Sequence, residues 1–182
     1  MDADFSNKLV FGQNGERLVV ELLHDKFGSF CHRLHEDYPA APKSQGHILP
    51  DLVLWENKGK VRQQMWLGEV KTKQQWVRWR GSIETGLEER KFRQYAQLSR
   101  KTGIKLWFFF LHIIDPPLGL WCCSSERFFE MSRLWDGRSK KTGRSVLGIN
   151  EPMRLIAKEY LTQIADREFV LRAIDKGKEV TL

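Results

Sequence analysis

Three ionisable side chains, those of Asp51, Glu69 and Lys71, are of types that together could perform a hydrolysis. Two carboxylates can hold a hard divalent cation through oxygen, with water molecules in the remaining coordination positions. A neighbouring lysine can orient or help to deprotonate an attacking water and can stabilise negative charge on a phosphate. These residue types therefore predict metal-assisted hydrolysis of a phosphodiester.

A β-hairpin would bring the two carboxylates together. Apolar segments at residues 50–55 and 64–72 predict two strands, and the polar residues between them predict a turn. If the strands pair about position 60, Asp51 lies opposite Glu69, because the two are equally distant from that point. The hairpin then forms the centre of the predicted site.

The spacing of Glu69 and Lys71 places both side chains on one face of the second strand, because successive side chains alternate. The backbone carbonyl of Val70 lies between them and could supply a further oxygen ligand. The pattern Glu-x-Lys occurs three times in the chain, and only at Glu69 does it fall in an apolar strand preceded by a Pro-Asp strand start. Taken alone it would favour an ion pair at a strand edge; together with Asp51 it favours a metal site.

The remaining elements predict an α/β fold with a mixed central sheet flanked by helices and a C-terminal helical extension. Helical spacing of apolar residues or a helix-start signal predicts helices over about 7–27, 84–102, 124–131 and 151–176. Further strands are predicted at 30–34, 104–114 and 118–123, and a basic loop or hairpin at 133–148.

Length and composition predict a single domain over residues 1–182 with a core of its own. Thirty Lys and Arg against 23 Asp and Glu give a net charge of +7, which favours an anionic partner. Three cysteines do not suggest a disulfide framework. The acidic N-terminus and the shortness of the apolar run at 106–111 predict a soluble, intracellular, cytoplasmic protein without membrane contact.

Taken together, Pro50-Asp51 and the residues 68–71 (GEVK) resemble the motif of the PD-(D/E)XK nuclease superfamily. The upstream helix start at 12–17 (GQNGER) is similar to that of archaeal Holliday junction resolvase-like endonucleases. The resemblance covers roughly residues 9–114 and implies a restriction-endonuclease-like core at about 7–123. Residues 124–182, a predicted loop and helical extension, have no resolvase counterpart.

The resemblance implies a role for each residue that matches the motif. Asp51 and Glu69 would bind Mg²⁺, with Mn²⁺ able to substitute, and Lys71 would lie near the attacking water. Glu16 would complete the metal site directly or through water, with Glu21 as the weaker alternative for that role. Alternatively, Glu16 is a solvated carboxylate near a helix start, where the helix dipole favours it.

Three further matches to the family are looser. Related enzymes often carry a Gln or Tyr that faces the site from the next helix, as Gln94 and Tyr95 would, although the favoured alternative is an exposed Gln94 and a half-buried Tyr95. Ser44 matches a loop serine of the resolvases only loosely. His47 is closer to the motif, but the metal chemistry does not require it.

Basic residues follow the motif closely, with ten Lys and Arg against three Glu over residues 71–105. Lysine and arginine bind the phosphates of nucleic acid irrespective of sequence. Trp76 and Trp79 lie among them and either stack on unpaired bases from a loop over the site or pack into the core. The residues expected to contact nucleic acid are Lys73, Arg78, Arg80, Arg90, Lys91, Gln94 and Tyr95, with Lys140 and Lys141 from the second basic cluster.

The sequence thus predicts a metal-dependent endonuclease that hydrolyses DNA, with selectivity for branched or junction DNA left open. Two alternatives are a non-catalytic nucleic-acid-binding module of the same fold and a nuclease subunit that acts only with a transposition, restriction or defence protein. A homodimer would provide two sites for cutting two strands.

Overall fold

A computed structural model describes residues 3–27, 30–34, 48–57, 63–136 and 152–179 of the chain. The described part contains four α-helices, one short 3-10 helix and ten strands. The helices are α1 (Ala3–Phe27), α2 (Glu89–Thr102), α3 (Ser125–Met131) and α4 (Arg167–Glu179), with the 3-10 helix at Lys158–Tyr160. The strands are β1 (Phe30–Arg33), β2 (Leu52–Asn57), β3 (Gln63–Lys73), β4 (Val77–Trp79), β5 (Ser82–Glu88), β6 (Leu106–His112), β7 (Gly119–Ser124), β8 (Arg133–Trp135), β9 (Met153–Ala157) and β10 (Thr162–Ala165).

The strands form two sheets, which confirms the predicted α/β class with a mixed sheet. The larger sheet has the order β1-β2-β3-β6-β7-β10, in which only β3 and β6 pair in parallel. The smaller sheet has the order β4-β5-β9-β8 and is antiparallel throughout. The chain between the parallel strands β3 and β6 contains β4, β5 and α2, so two strands of the second sheet lie in this crossover and the other two, β8 and β9, follow β7.

The predicted hairpin register is confirmed. Leu52 pairs with Gly68 and Trp55 with Met65 in the β2–β3 ladder. Extended by one residue, this register sets Asp51 opposite Glu69, as pairing about position 60 requires. Since β3 also pairs with β6, the Glu-x-Lys sequence lies on a central strand and not at a strand edge.

Two apolar layers cover the larger sheet. On one face α1 packs through residues such as Val19 and Leu22 against Val70 and its neighbours in the sheet. Here a Cβ atom on Gly15 would lie 1.7 Å from the Thr72 hydroxyl oxygen, so a glycine is required where the helix meets β3. On the other face α2 and α3 enclose an aromatic cluster that includes Phe92, Tyr95, Phe108, Phe110 and Phe128.

Two helix predictions are wrong in part. Residues 84–88, expected to begin a helix, belong to β5, and the expected helix 151–176 is replaced over its first half by β9, the 3-10 helix and β10. Short apolar segments satisfy both the helical and the strand period, and here pairing with β5 and with β7 decides for strands. The C-terminal extension is therefore not a helical appendage but a component of both sheets.

Several predictions fall outside the described residues. These are the loop with Ser44 and His47, most of the turn between β2 and β3, and the basic cluster with Lys140 and Lys141. Among the helices that are described, none is both long and apolar enough to cross a bilayer.

Candidate active site

Asp51 lies immediately before β2 and is buried, with its carboxylate directed at the neighbouring strand. Its Oδ2 accepts a hydrogen bond of 2.8 Å from the backbone N–H of Val70. Its own backbone carbonyl accepts one of 2.9 Å from the N–H of Leu34, which follows β1. Contacts with β3 on one side and with the residue after β1 on the other therefore hold Asp51 in place.

Glu69 is the most deeply buried of the predicted site residues, with a relative exposure of 2%. Its Oε1 accepts a hydrogen bond of 2.5 Å from the Nζ of Lys71, which confirms that the two side chains share a face of β3. Its Oε2 is buried and has no hydrogen-bond partner among the described residues. A buried carboxylate oxygen without a partner is costly in free energy, and a bound cation is one way in which that cost is removed.

Tyr95 is a structural neighbour of Glu69 and not a residue of the nucleic-acid surface. It is only 3% exposed, and its hydroxyl lies near enough to the Glu69 carboxylate to lower the pKa of Glu69. The prediction that Tyr95 contacts nucleic acid is therefore wrong, because Tyr95 packs into the aromatic cluster beneath α2. Tyr95 does lie beside Glu69 on the α2 side of β3, whereas a role in the site stays a prediction.

The charges of the site are shaped by burial. Desolvation raises the pKa of Glu69 to about 7, and the charge of Asp51 adds to the increase while Lys71 and Tyr95 oppose it. Burial would lower the pKa of Lys71, but Glu69 and Asp51 outweigh it and raise that pKa. The site thus combines two mutually repelling carboxylates with one lysine that stays protonated.

Glu88 is a residue of this site that sequence reasoning missed. It ends β5, precedes α2 and forms an ion pair of 3.7 Å with Lys91. Burial would raise its pKa, but its own backbone N–H and the positive charges of Lys91, Lys71 and Lys73 lower it. The expected helix over 84–102 concealed Glu88, since only the end of a strand brings it to the lysines of β3.

Lys73 lies two residues beyond Lys71 on the same face of β3 and is half-buried. Desolvation lowers its pKa to about 8, and the positive charges of Lys71 and Lys91 contribute while Glu88 opposes them. A basic group thus extends from Lys71 along β3 towards α2. The predicted contact of Lys73 with a phosphate stays a prediction.

The backbone carbonyl of Val70, predicted as a metal ligand, points towards Asp51. Along a strand, the N–H and C=O groups of one residue point to the same side and those of the next residue to the other. The N–H of Leu67 bonds to Lys105 on the β6 side, and the N–H of Val70 bonds to Asp51 on the β2 side. The carbonyl of Val70 therefore points to the side of Asp51, beyond the last β2 pair at Leu52.

Glu16 lies on α1, and its carboxylate pairs with Arg33 of β1 at 3.0 Å. Within the described ranges, no group of three or more His, Cys, Asp or Glu side chains is close enough to bind one metal ion. The predicted role of Glu16 in completing the metal site thus stays a prediction. Glu21, the weaker alternative, lies exposed on the same helix.

The described residues that are predicted to contact nucleic acid differ in exposure and in the contacts they make. The guanidinium of Arg78 forms hydrogen bonds of 2.5 and 2.9 Å to the Asp115 carboxylate and another to the carbonyl of Pro116, so Arg78 braces β4. Arg80 and Arg90 are exposed, and Gln94 is half-buried on α2.

The two tryptophans differ in burial. Trp76 is buried and stacks on His112 with ring centroids 3.5 Å apart, so it packs into the core as one of the two alternatives proposed. Trp79 is 43% exposed at the end of β4. His112 is itself fully buried and bonds to the Thr85 hydroxyl at 3.1 Å, an arrangement that sequence reasoning did not anticipate.

Comparisons with known proteins add two solved structures. The first is Hjc, a Holliday junction resolvase from Archaeoglobus fulgidus, at 14% identity and a TM-score of 0.47, covering 82% of this chain and 90% of Hjc. The second is D212, a nuclease from a fusselovirus, at 11% identity and a TM-score of 0.44, covering 100% of this chain and 98% of D212. No family model and no curated protein sequence matches.

By their descriptions, the first is a Holliday junction resolvase and the second a nuclease. At identities below 25% and TM-scores below 0.5, neither likeness carries an argument about activity, substrate or assembly. The functional case rests on the geometry around Asp51 and Glu69.

Proposed function

We propose that this chain is a metal-dependent nuclease that hydrolyses phosphodiester bonds in DNA. The observation that carries the proposal is the buried, unpartnered Oε2 of Glu69 beside a second carboxylate, that of Asp51. Two carboxylates held this close in a buried site repel each other unless a cation or a proton neutralises them.

The residues present suit Mg²⁺, for which Mn²⁺ could substitute. Asp51, Glu69 and the carbonyl of Val70 would hold it, and water and a substrate phosphate would fill the remaining positions, as is usual for Mg²⁺. When bound, such a cation polarises a phosphate oxygen and promotes the activation of water.

The chain's own residues would orient and stabilise the reacting groups. Lys71 is held by Glu69 with its positive head beside the carboxylates, where it can orient the attacking water and stabilise charge on the phosphate. Tyr95 fixes the Glu69 carboxylate from the side of α2. Burial of the pair excludes bulk water, which strengthens each of these interactions.

The surroundings support DNA as the substrate. Lys73 extends the positive charge from the site along β3, and the following helix α2 exposes further cations. These helix residues are Arg90, Lys91, Arg93, Arg100 and Lys101. One site cuts one strand, so we expect a homodimer if both strands of a branched DNA are cut.

The test is a cleavage assay on fluorescently labelled linear duplex, single-stranded, flap and four-way junction DNAs, with Mg²⁺, with Mn²⁺ and with EDTA. We expect cleavage only with the cations and its loss in Glu69→Gln, while the surface control Glu126→Gln cuts normally. Cleavage in EDTA, or by Glu69→Gln at the normal rate, would overturn the proposal. DNA binding without cleavage in any cation would instead support a non-catalytic binding module.

A further inference from the structure

The hairpin of β4 and β5 ends in a strained two-residue turn. Trp79 pairs with Ser82 across it, and the turn residues Arg80 and Gly81 have φ angles of 49° and 83°. Two positive φ angles define a type I′ turn, which favours Asn, Asp or Gly at both positions. An arginine at the first position is a rare conformation, and retained strain of this kind is concentrated at functional sites.

The exposed ring of Trp79 has two arginines beside it. The guanidinium carbon of Arg80 lies 5.5 Å from the ring centroid, and that of Arg133 lies 5.7 Å from it. We call these three residues the Trp79 platform. An exposed aromatic face with two cations beside it suits a ligand in which a flat ring is joined to a negatively charged group.

The platform is held rigidly by contacts with buried groups. Arg133 donates hydrogen bonds from Nε and Nη2 to both carboxylate oxygens of Glu84, a buried residue of β5. The other end of β4 is held by the bonds of Arg78 to Asp115 and by the burial of Trp76. A three-residue strand is thus fixed at both ends, although it contributes little to the core.

The platform and the candidate active site lie at opposite ends of one strand. β5 runs from Ser82, at the hairpin turn, to Glu88, whose charge acts on Lys71 and Lys73. Six residue steps along a strand span about 20 Å. That length corresponds to roughly six nucleotides of a stacked DNA strand.

We propose that the Trp79 platform stacks on an unpaired base of the DNA, so that the preferred substrate has a single-stranded stretch near the cut. This inference rests on the proposed function and adds its substrate class. A base in a continuous duplex has both faces covered by its neighbours, whereas an unpaired base can lie on an indole ring. Arg80 would then leave the ring to contact the adjoining phosphate.

The test is the binding of fluorescein-labelled single-stranded, forked and blunt duplex DNA, measured by anisotropy in EDTA so that no cleavage occurs. We expect Trp79→Ala to bind the first two about tenfold more weakly, as loss of one stacked base predicts, with blunt duplex changed less than about twofold. Trp79→Phe keeps a ring and should recover most of the affinity. The matched control is Tyr160→Ala, since Tyr160 is an aromatic residue of similar exposure, at 42%, outside the platform; its binding should be normal.

Intrinsic fluorescence provides a second measurement that does not depend on an alanine variant. Single-stranded DNA should quench wild-type emission more than that of Trp79→Phe, because stacked bases quench an indole. Equal quenching of the two proteins, or equal weakening of all three DNAs by Trp79→Ala, would overturn the inference. The proposed function fails separately, through the absence of cation-dependent cleavage, whatever the outcome of these binding measurements.

Discussion

The carboxylate of Asp51 accepts a hydrogen bond of 2.8 Å from the backbone N–H of Val70, the residue that separates Glu69 from Lys71. The bond joins the residue that precedes β2 to the middle of the Glu-x-Lys sequence. Asp51 therefore has a structural role, as an acceptor for β3, and a proposed chemical one, as a metal ligand. Substitutions can separate the two.

Asp51→Asn should retain the fold and lose the activity. The amide oxygen of Asn can still accept from Val70, so we expect the free energy of unfolding to change by less than about 1 kcal/mol, whereas Asp51→Ala should lower it by about 2 kcal/mol. Neither variant should cut DNA, because both lack the ligand charge. Urea unfolding and the cleavage assay measure the two effects, and normal cleavage by Asp51→Asn would rule out the ligand role.

Glu69 should make the metal-free protein less stable as the pH rises. Its folded pKa of about 7 lies above the ordinary value of 4.5, so the folded state binds more protons between these values. Its stabilising contribution is thus complete below pH 4.5 and lost as the pH rises through 7, at up to about 1.4 kcal/mol per pH unit. In EDTA, unfolding curves of Glu69→Gln should show a smaller decline over this window, and parallel declines would contradict the prediction.

His112 should make the protein less stable as the pH falls, the opposite of the effect of Glu69. Burial lowers its folded pKa to about 3, with the positive charge of Lys73 contributing and Asp115 opposing, against an ordinary value of 6.5. The unfolded state therefore binds more protons between these values, so stability is complete above pH 6.5 and falls as the pH decreases towards 3. His112→Phe keeps a flat ring against Trp76 but cannot titrate. Its thermal unfolding should lose less stability than the wild type between pH 6.5 and 4.5, and an unchanged acid slope would refute this assignment.

Two glycines of α1 should respond oppositely to alanine. Gly15 meets Thr72, and a Cβ atom there would collide with the hydroxyl oxygen, so Gly15→Ala should destabilise the protein by about 1–3 kcal/mol. Gly12 has no atom within 4 Å of such a Cβ, so Gly12→Ala should stabilise the helix by up to about 1 kcal/mol. Chemical denaturation of the two variants provides the comparison. Unchanged or increased stability of Gly15→Ala would mean that α1 does not approach β3 at Gly15.

The hairpin could be predicted from the sequence because its information is local. Short runs of apolar residues define both strands, and the symmetry of the segment about position 60 sets the register that places Asp51 opposite Glu69. By contrast, residues 153–157 have apolar side chains that satisfy both the helical and the strand period. Their strand conformation depends on pairing with β5, from which a long stretch of chain separates them.

The part of the candidate site that depends on local sequence was likewise predictable, and the part that depends on tertiary packing was not. Asp51, Glu69 and Lys71 follow from a short motif, but the contact of Tyr95 with Glu69 depends on how α2 packs against the sheet. The position of Glu88 depends on where β5 ends. Such contacts are set by tertiary packing, which a single sequence does not encode in its local periodicity.

The pairing of β9 with β5, and of β10 with β7, also determines when the site can be assembled during synthesis. Asp51, Glu69 and Lys71 leave the ribosome well before β9, the strand that holds β5 and with it Glu88. Glu84 cannot find its partner Ala157 until both sheets have been almost completely translated. A nascent chain that stops before Met153 would thus carry the Asp51, Glu69 and Lys71 motif without the strand that holds β5, so we expect the proposed site to be complete only after β9 has been translated.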